Sequence, residues 1–141
     1  MKKSTQEIQI ASPISEVWKA LTTKSEMEAW AKNVTVDTDW KVGTPIVFTC
    51  YDEKGAIAEL QGKKMIFDGV IEIANENSEL SYVYPNKLFG IEKESYLLKK
   101  MGEKSTLVKM TQVYSTDEDA KGSEDGQKQI LEMLKKYLET K

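Results

Sequence analysis

Apolar and polar residues alternate over most of this chain, and that alternation constrains the fold more than any other feature. From Val34 to about Tyr114 the apolar side chains recur at every second position, as in strands with one dry and one wet face. Segments rich in turn-forming residues separate six such stretches. Their apolar residues are Val34/Val36, Ile46/Phe48/Cys50, Met65/Phe67/Ile71/Ile73, Leu80/Tyr82/Tyr84, Tyr96/Leu98 and Val108/Met110. The pattern predicts six antiparallel strands that cover a core on one face only.

The residues before this region predict one further strand and two short helices. Residues 5–11 alternate and are predicted to form the first strand. Ser12 and Pro13 predict a helix start, with the serine hydroxyl as N-cap and the proline at the first helical position. A second helix is predicted to begin at Lys24 or Ser25. The apolar stripes of the two helices are Ile14, Val17, Trp18 and Leu21, and Met27, Trp30 and Ala31.

A long amphipathic helix is predicted at the end of the sequence. Residues 115–126 indicate a polar loop that ends with Ser123 as N-cap. The apolar residues that follow have helical spacing and are Ile130, Leu131, Leu134, Tyr137 and Leu138. This stripe is the largest apolar surface available to cover the dry face of the sheet. We therefore predict an α+β fold in which a curved seven-stranded antiparallel sheet wraps around the C-terminal helix.

Gly69 interrupts the longest alternating stretch on its apolar side. An interior strand glycine often marks a bulge or a sharp bend, which would supply the curvature that the predicted sheet needs. The alternative is a weak point in the strand or a tight contact with the helix.

Composition excludes several classes of function. The chain has 141 residues, which predicts one domain over 1–141. It contains no histidine, no arginine and one cysteine, Cys50, so Ser-His and Cys-His pairs and imidazole metal sites are impossible. We expect no catalytic residue, no metal and no cofactor. A lone thiol, pointing inward by parity and without a histidine partner, is expected to be an inert core residue rather than a nucleophile.

The charge pattern argues against nucleic acids and membranes as partners. The net charge is −3, so the basic footprint of a nucleic-acid-binding protein is missing. The basic residues Lys2 and Lys3 are followed by polar residues where a signal peptide needs an apolar run. No stretch approaches the 18 or so apolar residues of a membrane span. We expect a cytoplasmic protein.

Several segments resemble a known superfamily. Residues 8–13 (IQIASP) and 17–22 (VWKALT), with Trp30, are similar to the opening of the START-like helix-grip superfamily (SRPBCC), whose fold is that of the birch-pollen allergen. Within it, other segments resemble the C-terminal domain of the activator of heat-shock-protein-90 ATPase. These segments are 39–46 (DWKVGTPI), 69–73 (GVIEI), 80–82 (LSY) and 126–138. The tryptophan often found at the start of that family's last helix is missing here.

The resemblance implies a helix-grip fold over essentially the whole chain and leaves three functions open, because a fold does not determine a function. The first is non-catalytic binding of a small, largely apolar ligand such as a lipid or polyketide. The second is a co-chaperone that activates the ATPase of heat-shock protein 90; without the activator's separate N-terminal domain, full stimulation is not expected. The third is a polyketide cyclase-like enzyme, which the missing histidine and arginine disfavour.

The space between sheet and helix is the candidate ligand site. Its predicted apolar wall is Trp30, Phe48, Met65, Phe67, Tyr82, Tyr84, Tyr96, Met110, Leu131 and Leu134. The alternative is that these residues fill the core and leave no cavity. With tyrosine hydroxyls as anchors and no lysine in the wall, the site is expected to accept neutral aromatic or fatty compounds and to reject phosphorylated ones.

Two polar residues share the inward parity of this wall. If the last two strands pair as a hairpin around Gly102, Glu94 and Gln112 both point toward the inner side. A carboxylate there could orient a ligand or act as a general base with a raised pKa. The alternative is that both side chains lie at a solvated cavity mouth or strand end, since acidic side chains are rarely fully buried.

Overall fold

Residues 2–141, which the computed structural model describes, form an antiparallel sheet with a long helix against its inner face. The strands are β1 (Lys3–Ile10), β2 (Val34–Thr38), β3 (Pro45–Cys50), β4 (Glu59–Leu60), β5 (Lys63–Lys64), β6 (Ile66–Asn75), β7 (Glu79–Val83), β8 (Ile91–Gly102) and β9 (Ser105–Tyr114). The helices are α1 (Ile14–Leu21), α2 (Lys24–Trp30), α3 (Asp117–Ala120) and α4 (Ser123–Glu139), with one 3-10 turn at Leu88–Gly90.

Seven of the strands make one curved sheet in the order β1-β9-β8-β7-β6-β3-β2, and every neighbouring pair is antiparallel. The predicted seven-stranded sheet around a C-terminal helix is confirmed. Leu131, Leu134 and Leu138 of α4 are buried in the same core as the inward side chains of the sheet. Trp30 joins α2 to α1, because its indole Nε1 donates a hydrogen bond of 2.9 Å to the carbonyl of Ala20. None of the helices within the described residues is long and apolar enough to cross a membrane.

The bulge in β6 lies beyond Gly69, so the predicted position is wrong. The register against β7 shifts between Ile71 and Ile73. Ile71 faces Tyr82 on the inner side, whereas Ile73 pairs with Ser81 and Ala74 packs against the core in its place. An extra residue inverts the facing of every residue after it, which is why strict alternation assigned Ile73 to the dry face.

Gly69 instead marks a close approach within the sheet. A Cβ atom built on it would lie 3.0 Å from the carbonyl oxygen of Val83 and 3.2 Å from side-chain atoms of Ile46 and Tyr84. Glycine is therefore required here by its neighbours on β3, at the end of β7 and in the residue that follows β7, and not by a contact with α4.

The element starts and loops differ from the sequence predictions in five places. Strand β1 spans Lys3–Ile10 rather than residues 5–11. Helix α1 begins at Ile14 with Pro13 as the extended cap residue, so Ser12 is not the N-cap. Ser123 is the first residue of α4 and the left-handed Gly122 precedes it. The predicted 115–126 loop contains the single turn α3, whose Thr116 side chain accepts a hydrogen bond from the Asp119 N–H. The short hairpin of β4 and β5 was not predicted, because two-residue strands leave no periodic signal.

Both edges of the sheet are covered by a lysine and a glutamate one helical turn apart. On β2, Lys24 Nζ donates to the Val36 carbonyl (2.7 Å), and Glu28 accepts from the Val36 N–H (2.9 Å). At β1, Lys135 Nζ donates to the Gln9 carbonyl (2.9 Å), and Glu139 accepts from the Ala11 N–H (2.8 Å). Each lysine also pairs with its own glutamate, at 2.6 Å and 2.7 Å. Helices α2 and α4 thus satisfy backbone groups that a sheet edge otherwise leaves open.

Candidate functional site

A cavity of about 260 Å³ lies between the inner face of the sheet and helices α2 and α4. Strands β3, β6, β7 and β8 form its floor, because their inward side chains fall on neighbouring rows of the antiparallel register. The lining residues are Met27, Trp30, Ala31, Val34, Phe48, Cys50, Met65, Phe67, Tyr82, Tyr84, Ile91, Glu94, Tyr96, Gln112, Ile130 and Met133. The wall is apolar apart from a few groups, which is the composition of a small-molecule site.

Aromatic rings form one continuous part of the wall. Phe48 pairs with Phe67 across β3 and β6, and the Phe48 ring centroid lies 5.2 Å from that of Tyr82. Tyr84 continues the cluster at 5.8 Å from Tyr82 and 5.9 Å from Phe67. The planes are tilted by 49–70°, so these contacts are edge-to-face or nearly so. A bound molecule would meet ring faces and edges here rather than flexible aliphatic chains.

A hydrogen-bonded row of polar side chains crosses three neighbouring strands. Glu94 lies opposite Tyr82 on β7 and opposite Gln112 on β9. The Tyr82 hydroxyl donates to Glu94 Oε2 at 2.8 Å, and Gln112 Nε2 donates to Glu94 Oε1 at 2.7 Å. The Tyr114 hydroxyl donates to Gln112 Oε1 at 2.8 Å, so all bonds in the row run toward the carboxylate. The hairpin around Gly102 therefore brings Glu94 and Gln112 to the inner side, as their parity predicts.

Burial controls the ionisation of this row. It raises the pKa of Glu94, although the hydrogen bonds from Gln112 and Tyr82 act in the opposite direction. No cation within residues 2–141 forms an ion pair with this carboxylate. Burial and then the charge of Glu94 raise the pKa values of Tyr82, Tyr84 and Tyr96 well above the ordinary range. The three phenols are thus neutral hydroxyl groups at physiological pH.

Cys50 is at the end of β3 and lines the cavity as its inward parity predicts. Its thiol is half-buried and free, and burial raises its pKa. A raised pKa disfavours the nucleophilic thiolate, which supports the expectation of an inert thiol. The expectation that Cys50 belongs to the core is wrong, because the residue lies in the cavity wall.

The sequence matches a known protein family over most of its length. Residues 11–139 match the family described as "Activator of Hsp90 ATPase homolog 1-like protein". The chain belongs to this family. No curated protein matches the sequence.

Solved structures related to this Hsp90-activator-like family have the same fold. ChR145 from Cytophaga hutchinsonii is 29% identical with a TM-score of 0.73, over 98% of this chain and 94% of that one. The Aha1 dimer from Colwellia psychrerythraea is 20% identical with a TM-score of 0.72, over 99% and 97% of the two chains. CalU16 from Micromonospora echinospora is 17% identical with a TM-score of 0.70, over 96% and 75%.

The cavity of this family member contains most of the side chains that alternation and helical spacing assigned to it. Nine of the twelve predicted residues line it: Trp30, Phe48, Met65, Phe67, Tyr82, Tyr84, Glu94, Tyr96 and Gln112. The other three, Met110, Leu131 and Leu134, are fully packed in the core beneath the wall. Their ligand-binding role remains a prediction for the nine and has no geometric support for the three.

Besides Cys50, six lining residues were not included in the predicted wall. Met27 and Ala31 share the helical face of Trp30, Val34 belongs to the alternating pattern and Ile130 to the α4 stripe, so their signals were present. Ile91 has the opposite parity to Glu94, and it faces inward because the β8–β9 register shifts between Ile91 and Lys93. Met133 is one turn beyond Ile130 on the same face of α4.

Proposed function

We propose that this protein binds a small, largely apolar molecule in the cavity between the sheet and helix α4, without transforming it. The observation that carries the proposal is the 260 Å³ cavity itself, which persists in a core otherwise filled by side chains. Protein interiors are close-packed, so a partly open apolar cavity of this size beside an aromatic wall supports a binding role.

The volume limits the size of the ligand. A cavity of about 150 Å³ accommodates benzene, which makes 260 Å³ sufficient for roughly ten non-hydrogen atoms. A single aromatic ring with a short side chain fits this volume, and so does a medium-length alkyl chain. Larger lipids would require the partly exposed lining residues Met65 and Ile130 to move.

The side chains of the wall support binding more than catalysis. Glu94 is the only carboxylate among the described lining residues, and no lysine accompanies it. Acid–base chemistry on a polyketide would need a second group able to exchange a proton near neutral pH. The phenols do not provide it, because their pKa values are raised. The cyclase-like alternative is therefore the weaker one.

Native mass spectrometry of the protein purified from its own host tests the proposal directly. We expect a co-purifying mass of a few hundred daltons or less that is released under denaturing conditions. Replacing Phe67 or Tyr82 by alanine should weaken its binding, whereas Leu97→Ala on the outer face of the sheet should not. An empty protein that no aromatic or fatty compound stabilises in a thermal-shift screen would contradict the proposal.

A co-chaperone role is the second candidate, supported by membership of the Hsp90-activator-like family. The likeness to a structure named as the Aha1 dimer points in the same direction and adds self-association as a possibility to measure. The test is the ATPase rate of heat-shock protein 90 from the same organism, with and without this protein. Stimulation that the Phe67→Ala variant retains would establish the co-chaperone role as independent of the cavity, and no stimulation and no complex would remove it.

A further inference from the structure

We infer that the ligand carries a positive charge, as an amine on a small apolar body, and that the carboxylate of Glu94 binds this amine. The inference rests on the proposed function, since it specifies the chemistry of a ligand in the same cavity. It also replaces the neutral compounds that the sequence alone suggested.

First, Glu94 has unused acceptor sites in the cavity wall. An ionised carboxylate offers about four lone-pair sites. Tyr82 and Gln112 each occupy one site, on different oxygens, and both are neutral donors. The carboxyl group also lines the cavity. A ligand amine can therefore donate hydrogen bonds to Glu94 without displacing either protein partner.

Second, residues 2–141 supply no counter-charge for this carboxylate. The nearest lysine on the same strand, Lys93, pairs at 2.7 Å with Glu72 on the outer face of the sheet. Glu94 is half-buried. A charge that is partly removed from water without an opposite charge is costly, and the favourable responses are to take up a proton or to bind a cation. The pKa of Glu94, which burial raises, shifts toward the first response. An ammonium group on a ligand gives the second.

Third, the hydrogen bonds that join Tyr114, Gln112 and Glu94 all point toward the carboxylate. Tyr114 donates to the carbonyl oxygen of Gln112, which leaves the amide nitrogen of Gln112 to donate to Glu94. The carboxylate is thus the terminal acceptor of a chain that begins outside the cavity wall. A carboxylate that accepts hydrogen bonds in this way favours a ligand that donates them and disfavours an anionic ligand.

The aromatic wall adds to the same selectivity. The rings of Phe48, Tyr82 and Tyr84 lie next to one another near Glu94, and ring faces attract cations. A carboxylate combined with several aromatic rings is chemically suited to an ammonium group on an apolar body. Neither element would favour a phosphate or a carboxylate.

Three probes of nearly equal size test the charge: 2-phenylethylamine, 2-phenylethanol and phenylacetate. Isothermal titration at pH 7.5 should show the amine binding about tenfold more tightly than the alcohol, which corresponds to one charge-assisted hydrogen bond. Phenylacetate should bind more weakly than either. The variant Glu94→Gln should lose about tenfold in amine affinity and stay within about threefold for the alcohol. Glu72→Gln, which removes an outer-face carboxylate, is the matched control and should change neither.

The outcomes separate this inference from the proposed function. If the alcohol binds wild type as tightly as the amine, or Glu94→Gln leaves the amine affinity unchanged, the charged ligand is refuted and the apolar site stands. If phenylacetate binds most tightly, the inference is also wrong. If none of the three probes binds, the cavity is not a site for ligands of this size and both proposals fail.

If Glu94→Gln does not fold, binding measured over a pH series on the wild-type protein tests the same inference. The other titratable groups that face Glu94 are Tyr82, Tyr84, Tyr96 and Cys50, with Tyr114 next to Gln112, and the pKa of each is raised. Helices α2 and α4 contribute no titratable side chain to the described wall. As the pH is lowered from 7.5 through the raised pKa of Glu94, the amine affinity should therefore fall, while the alcohol affinity should not. Parallel behaviour of the two probes would overturn the inference.

Discussion

The substitution Gly69→Ala tests how tightly the sheet is packed beside the cavity. Gly69 is buried in β6 between β3 and the segment that follows β7. The added Cβ would lie 3.0 Å from the Val83 carbonyl oxygen, and that oxygen belongs to a hydrogen-bonded strand that cannot easily move. It would also lie 3.2 Å from Ile46 Cγ2 and from Tyr84 Cδ1. All three contacts are shorter than ordinary van der Waals separations.

The expected magnitude follows from two opposing effects. Overpacking by one methyl group in a well-packed core costs about 1–3 kcal/mol. Alanine recovers roughly 0.5–1 kcal/mol of this, because it has less backbone freedom than glycine in the unfolded chain. We expect Gly69→Ala to lower the free energy of unfolding by about 1–2 kcal/mol. The melting temperature should then fall by roughly 4 °C for each kcal/mol.

Gly126→Ala is the matched control because it makes the same chemical change in open space. Gly126 lies in the first turns of α4, and a Cβ there has no neighbour within 4 Å. This variant should be more stable than wild type by about 0.5–1 kcal/mol. Urea and thermal denaturation of both variants measure whether each substitution raises or lowers the free energy of unfolding. A Gly69→Ala protein as stable as wild type would show that the packing around Val83 and Tyr84 is looser than the structure indicates.

Three further predictions concern the helix, the thiol and the carboxylate. Removal of residues 123–141 exposes the inner face of the sheet, so the remaining chain should be insoluble or molten; a cooperative transition near that of the full chain would contradict the helix-grip architecture. Cys50 should react slowly with a bulky maleimide in the native protein and rapidly in denaturant, and rapid native labelling would show that the cavity is open at this position. The folded protein raises the pKa of Glu94 above its ordinary 4.5. Ionisation of this carboxyl group therefore lowers the free energy of unfolding as the pH rises. Glu94→Gln should therefore gain stability relative to wild type as the pH rises from about 4.5 toward 7, and a constant difference would disprove the shift.

The architecture could be predicted from the sequence because one-faced alternation has few structural solutions. Strands with one dry face need an apolar cover, and the stripe around Leu131 and Leu134 is the largest one available. Local departures from alternation could not be predicted. The shifts at Ile71/Ile73 and Ile91/Lys93 reverse the facing of nearby residues without changing composition. The first shift accounts for Ile73, whose facing strict alternation misassigned, and the second brings Ile91 to the inner side.

The site was predictable to the extent that it depends on which way side chains face. The parity of Glu94 and Gln112 placed both on the inner side. Periodicity does not show whether an inward residue borders a void or lies beneath it. Met110 and Leu134 face inward like Tyr96, yet only Tyr96 reaches the cavity. Whether an inward side chain reaches the cavity depends on how deeply it lies within the curved sheet. Residues far apart in sequence determine that depth together.

The paired lysines and glutamates at the two sheet edges have a consequence for polymerisation. An open strand edge is a template on which another chain can add a strand, and repeated addition leads to fibres. Here Val36 on one edge and Gln9 on the other are already hydrogen-bonded to ionic side chains of α2 and α4. An incoming strand would have to displace an ion pair as well as water. Because salt weakens exposed ion pairs, this protection should decrease at high ionic strength, and edge-to-edge aggregation of this protein should then become faster.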